Sequence, residues 1–208
     1  GAQLAIDEIN AAGGIKAMGG AKLEALLGDS QSRPEVGVSE VERMEQDGVA
    51  AYLGCFSSGI ALPATQAAAK YNTPFLIDVG ASDLIVNRGL KNVFRLKPGK
   101  CVDDAIVALG DINKGAGGVA KTAVLVHEES EFGTGTAKLL GGKLPSINIQ
   151  PLETIKHANP TRDFSNIALR IKGLKPDLVI MSNYQNEYVL LARTLMQQKV
   201  DVAAMFSV

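Results

Sequence analysis

Ser57, Ser58 and Gly59 are the residues whose types and spacing point most directly to chemistry. They follow Tyr52-Leu53-Gly54-Cys55-Phe56 and precede Ile60-Ala61-Leu62-Pro63. A short apolar run bounded by Gly and Ser predicts a strand. Pro63 suits a helix's first turn, where N–H groups lack intrahelical partners. Between strand and helix, a hydroxyl and free backbone N–H groups then face outward together, which is the chemistry of anion binding. The alternative for Ser58 is a plain helix cap.

Other chemistries find no matching residues. His127 ends a predicted strand and His157 precedes Asn159-Pro160, and neither has a metal-ligand partner at a recognised spacing. Both are expected to be solvated loop side chains. No Gly-x-Ser-x-Gly elbow occurs. Gly133-Thr134-Gly135 lacks the third glycine of a dinucleotide fingerprint and reads as a tight turn. Gly115 to Thr122 precedes a strand and lacks Gly before its Lys, unlike a phosphate loop. Glu128, Glu129 and Glu131 read as a solvated acidic loop. Cys55 and Cys101 are too few for a disulfide framework or a metal site. No nucleophile is paired with a base, so neither catalysis nor a cofactor is expected.

The elements that must position the Ser57-Ser58-Gly59 turn alternate along the chain. Predicted helices cover Ala2 to Gly13, Ser32 to Gly48, the stretch after Gly59 to about Tyr71, Val102 to Ile112, Gly135 to Leu144, Asp163 to Lys172, and Tyr184 to Gln198. Predicted strands cover Leu23 to Leu27, Val49 to Gly54, Pro74 to Asp78, Asn92 to Lys97, Thr122 to His127, Ile147 to Ile155, Asp177 to Met181, and Val202 to Phe206. This alternation predicts α/β architecture, with parallel sheets flanked by helices. Ligands of such sheets bind outside the carboxyl ends of the strands. Pro98-Gly99 divides the units into two groups, which suggests two lobes and a cleft. The first helix has no preceding strand and the last strand no following helix, so the chain is expected to be a fragment.

The composition is that of an ordinary globular chain: 208 residues, 46% hydrophobic, 21% charged and net charge -1. No Lys/Arg cluster suggests nucleic acid as a partner. No apolar run approaches the ~20 residues of a membrane span. Gly1 opens directly into a helical pattern, which leaves a cytoplasmic protein or one exported by a signal outside this sequence.

Several stretches together resemble the leucine/isoleucine/valine-binding protein family of ABC importers, which has the type I periplasmic-binding fold. They are Gly1 to Ile15, Cys55 to Pro63, Pro74 to Ser82, Phe94-Arg95, Phe132 to Gly135, and Thr161 to Phe164. The resemblance implies a first lobe over residues 1–98 and a second over 99–208, both partial, closing on a small ligand. It implies a non-enzymatic, periplasmic, monomeric protein whose partners are a carboxylate-bearing ligand and the importer's membrane subunits. Ser58, with Ser57 beside it, and the Ala81-Ser82 pair would hold the carboxylate, Ala81 through its backbone and Ser82 through its hydroxyl. Phe132 and Tyr184 would line the opposite wall. Relatives usually carry Tyr where Phe132 stands, and their acidic partner for the ligand's ammonium lies beyond Val208. The cysteine that some relatives have near residues 30–32 is replaced by Ser30, Gln31 and Ser32, so that disulfide is absent. A branched-chain or aliphatic amino acid and an aromatic acid both remain as ligands. A ligand-sensing domain of a regulator or receptor shares the fold and is the alternative function.

Overall fold

The computed structural model describes residues 1–97 and 102–208. The Pro98-Gly99 break and Cys101 lie outside the described residues. Strands and helices are interleaved along most of the chain. In order they are α1 (Ala2–Ala11), α2 (Pro34–Gln46), β1 (Tyr52–Leu53), α3 (Ser58–Ala69), β2 (Phe75–Ile77), β3 (Val93–Arg95), α4 (Val102–Gly115), β4 (Thr122–Glu128), α5 (Glu131–Lys143), β5 (Gln150–His157), α6 (Ser165–Leu174), β6 (Leu178–Ser182), α7 (Gln185–Gln197) and β7 (Ala204–Ser207). α2 follows α1 with no strand between, and β3 follows β2 with no α-helix between. The strands form two all-parallel sheets, ordered β1-β2-β3 and β5-β4-β6-β7.

The second sheet shows why its strands read as continuous apolar runs. Ala123 and Leu125 of β4 pack with Ile106 and Leu140, on the side of α4 and α5. The alternate residues Val124 and Val126 pack with Ile171 and Leu191, on the side of α6 and α7. Leu178 and Ile180 of β6 divide from Val179 and Met181 in the same way. Both faces are covered, so no polar alternation survives in these strands. Each such side chain contributes roughly 1.5–3 kcal/mol through burial. β5 lies at the sheet edge and does alternate between buried and exposed positions.

Beside the first sheet α3 carries Ala61, Ala64, Ala67 and Ala68 into the core. These small residues bring α2 and α3 close together. A Cβ on Gly37 of α2 would stand 2.8 Å from Ile60 Cγ2, so that crossing needs glycine. Tyr52 stacks on Phe75, and its hydroxyl faces Val41 O and Glu45 Oε1, both at 2.9 Å. Burial, with Glu45 as a further cause, pushes the Tyr52 phenol well above its usual range.

Several expected elements are corrected. Leu23 to Leu27 forms no strand: its backbone finds no ladder, and the Asn10 amide takes both Leu23 N and Leu23 O. Leu27 is 83% exposed. Alternating residues make a strand only where a neighbouring strand can pair with them. α5 starts at Glu131, ahead of the expected Gly135, because Ser130 caps it by accepting from Phe132 N. α3 starts at Ser58, so Pro63 lies inside the helix and forgoes the bond to the Gly59 carbonyl.

Asp177 locks the start of the second sheet. Its carboxylate accepts from Lys121 N, Thr122 N and Thr122 Oγ1, each at 2.8 Å. The Lys121 backbone bond and then the Thr122 hydroxyl hold its pKa below the ordinary 3.8. A depressed carboxyl stabilises the fold fully above its unfolded pKa and loses that contribution as pH falls through the lower folded value. Asp177→Asn is therefore expected to be less stable than the parent at neutral pH, with the difference shrinking below about pH 4. Thermal melts of both proteins from pH 7 to pH 2 check this.

Candidate functional site

The carboxyl ends of β1 and β2 carry the first wall of a cleft. Ser57 is the N-cap residue of α3, and neither it nor Ser58 caps the helix through its side chain. The cap reading of Ser58 is thus corrected. Ser58 is only 1% exposed, and its Oγ accepts from Ala81 N at 3.1 Å and from Ser82 N at 3.2 Å. A hydroxyl has two lone pairs and one proton. The two N–H donors occupy the lone pairs, so the proton is what remains to offer. Ser58 can therefore serve an acceptor such as a carboxylate, and not a donor such as an ammonium.

Ala81 and Ser82 are fixed from behind by Arg95. Its guanidinium donates to Ala81 O, Ser82 O and Asp83 Oδ1 at 3.0, 3.2 and 3.0 Å. Both backbone groups of Ala81 are thus used inside the protein. The Ser82 hydroxyl donates to Glu131 Oε1 on the second lobe at 2.9 Å and accepts from Leu84 N. The expected free Ser82 hydroxyl is instead a link between lobes. Ser57 makes a second, longer link, accepting from Tyr184 OH at 3.4 Å.

The second wall comes from the starts of α5 and α7. Phe132 stacks on Tyr184 with ring centroids 5.8 Å apart, and Phe56 of the first wall reaches Tyr184 at 6.0 Å. Between the walls lies a cavity of about 330 Å³. Ser58, Ala81, Phe132 and Tyr184 line it, together with Lys97 and Asn183, while Ser57 and Ser82 are not among its lining residues. Three helix N-termini meet here, and their partial positive charge favours an anion.

Some participants escaped the sequence reading. Glu128 is fully buried, not solvated, and accepts from Ser130 N, Ser130 Oγ and Gly133 N. That bracket sets the start of α5 and hence Phe132. A Cβ on Gly133 would stand 2.6 Å from Glu128 Oε1, so glycine is required there for close approach. The histidines are buried as well. His127 Nδ1 lies 2.8 Å from Glu128 O. His157 meets Phe164 edge-on, with Nδ1 2.8 Å from Ala158 O. The Asn183 amide satisfies its surroundings when its nitrogen donates to Val126 O and Ser182 O and its oxygen faces His157 Nε2 at 3.0 Å. A strand-end histidine beside carbonyl-rich turns was the available signal. Cys55 lies in the first-wall turn; burial, then the charge of Asp78, pushes its thiol up to about 11. It stays a thiol at neutral pH.

Comparison with known proteins places this geometry in a family. A family model described as periplasmic binding protein matches residues 1–208. The Leu/Ile/Val-binding protein BraC3 of Rhizobium johnstonii is 31% identical over 195 residues, covering 94% of this chain and 52% of that protein. The chain spans about half the length of the curated relatives it matches. The branched-chain amino acid transporter substrate-binding protein LivJ of Streptococcus pneumoniae, solved with isoleucine, superposes with TM-score 0.83 at 23% identity, over 99% of this chain and 56% of LivJ. A solute-binding protein of an ABC transporter from Rhodopseudomonas palustris, solved with 3,4-dihydroxybenzoic acid, gives TM-score 0.77 at 19% identity, over 93% and 53%. Those likenesses show the type I periplasmic-binding fold. The chain belongs to the periplasmic binding protein family, a family of solute-binding proteins and not of enzymes.

Proposed function

We propose that the chain is the greater part of the ligand-closing region of an extracytoplasmic solute-binding protein that serves an ABC importer. Its lobes divide at residues 98 and 99. It binds a small carboxylate-bearing ligand, either a branched-chain or aliphatic amino acid or an aromatic acid. The importer's membrane subunits are its partners, the protein acts as a monomer in the periplasm, and it inserts no segment in the membrane. Among the described residues no helix is long and apolar enough to cross one. The relatives' ligands, isoleucine and a dihydroxybenzoic acid, support both ligand classes.

The observation that carries this proposal is the state of the Ser58 hydroxyl. Its oxygen is filled by Ala81 N and Ser82 N, it lines the cavity, and its proton is left for an acceptor. A carboxylate supplies that acceptor and gains from the converging helix N-termini. Phe132 and Tyr184 then cover the ligand's apolar part from the other side. A ligand that touches both walls favours the closed form by the difference between its contacts in the two states. The Ser82–Glu131 bond adds to that closed form without touching the ligand.

Ser58→Ala is expected to lower ligand affinity by about 1.5–3 kcal/mol, the worth of a hydrogen bond to a charged group. It also strands two backbone N–H groups, so its melting temperature falls too. Arg95→Met loosens the same turn but keeps the hydroxyl, and is expected to lose stability with a smaller loss of affinity. Calorimetric titration of folded variants separates the two; equal affinity in Ser58→Ala and parent contradicts the role of the hydroxyl.

Glu131→Ala removes the interlobe bond from Ser82. We expect affinity to fall by about 0.5–1.5 kcal/mol through a more open ligand-free state. Small-angle scattering of the ligand-free variant then gives a larger radius of gyration than the parent's, and an unchanged radius counts against the link.

A further inference from the structure

Among the described residues lining the interlobe cavity, Lys97 is the only charged side chain. It stands at the exit of β3, half-buried, and none of the described carboxylates forms an ion pair with it. The remaining wall is apolar or neutral. Phe56, Phe132 and Tyr184 supply rings, and Val79 and Val102 supply aliphatic surface. Among the described residues no negative partner offsets this cation's partial loss of water.

We propose that Lys97 is a specificity-determining residue that selects organic acids of net negative charge, aromatic monocarboxylates above all, over zwitterionic amino acids. Three features converge on this. The Ser58 hydroxyl can donate its proton only to a negative or neutral acceptor. The helix N-termini of α3 and α7 carry no side-chain cap, so their partial charge adds to that of Lys97. The Phe132–Tyr184 stack offers a flat face for a ring. A benzoate-like ligand brings one negative charge and a ring, and meets all three. An amino acid adds an ammonium that would share the cavity with the like charge of Lys97.

This inference rests on the interlobe cavity being the ligand site, and the test keeps the two claims apart. Full-length protein is titrated with benzoate, 4-hydroxybenzoate and leucine by calorimetry, in the parent, Lys97→Met, Lys97→Arg and Ser58→Ala forms. We expect an aromatic acid to bind more tightly than leucine. Lys97→Met is expected to weaken the acid by roughly tenfold or more, to flatten its salt dependence, and to leave the melting temperature of the ligand-free protein unchanged. Lys97→Arg is expected to retain most of the affinity. If Ser58→Ala loses binding while Lys97→Met does not, the cleft stands and the role of Lys97 is overturned. Tighter binding of leucine than of either acid by the parent also overturns it. If neither substitution affects any ligand that binds, the cavity assignment falls as well.

Discussion

One hydroxyl holds the first wall of the cleft together. Ser58 Oγ takes the N–H groups of both Ala81 and Ser82, and so ties the start of α3 to the exit of β2. Without it, the buried N–H of Ser82 and the partly buried N–H of Ala81 would lose their partner, at roughly 1–3 kcal/mol for the buried one. Arg95 closes the same turn from the carbonyl side. The amide and carbonyl sides of this turn are thus both hydrogen-bonded within the protein, and the Ser58 proton is left over. That remainder sets the polarity of what the wall can hold.

Parallel topology explains why the opposite wall faces it. All strands of each sheet run the same way, so their exits and the helix starts that follow lie at one end of each lobe. α3, α5 and α7 begin there. Glu128, buried behind α5, fixes the position of Phe132 through Ser130 and Gly133. The Ser82–Glu131 and Ser57–Tyr184 contacts then join the two ends. These links are few and polar, whereas the two-faced core around the second sheet is apolar.

Much of this was legible in the sequence where a single physical rule dominates. Buried parallel strands such as Thr122 to Glu128 announce themselves by unbroken apolar runs, and their exits could be marked from small polar turns. Leu23 to Leu27 misled because alternation records a face and says nothing of a neighbour to pair with. Pro63 misplaced the start of α3 because one lost hydrogen bond is tolerable near a helix start that is otherwise well packed. Ser58 and Ser82 look alike in sequence, yet one lines the cavity and the other links the lobes. The difference comes from contacts with Ala81 and Glu131, 23 and 49 residues away respectively, which no local pattern encodes. Glu128 and both histidines were expected in water and are buried, since most of their partners are backbone groups of adjacent turns, joined by Ser130 for Glu128 and by Asn183 and Phe164 for His157, which no local pattern marks.

The central claim is that a ligand carboxylate receives the proton of Ser58 while Ala81 and Ser82 keep that oxygen in place. A crystal structure of the full-length protein with a bound organic acid tests it most directly. The prediction is a carboxylate oxygen about 2.5–3.0 Å from Ser58 Oγ, with both backbone N–H groups still on that atom and Phe132 and Tyr184 over the ligand. A ligand seated elsewhere, or one that presents a donor to Ser58, would contradict it.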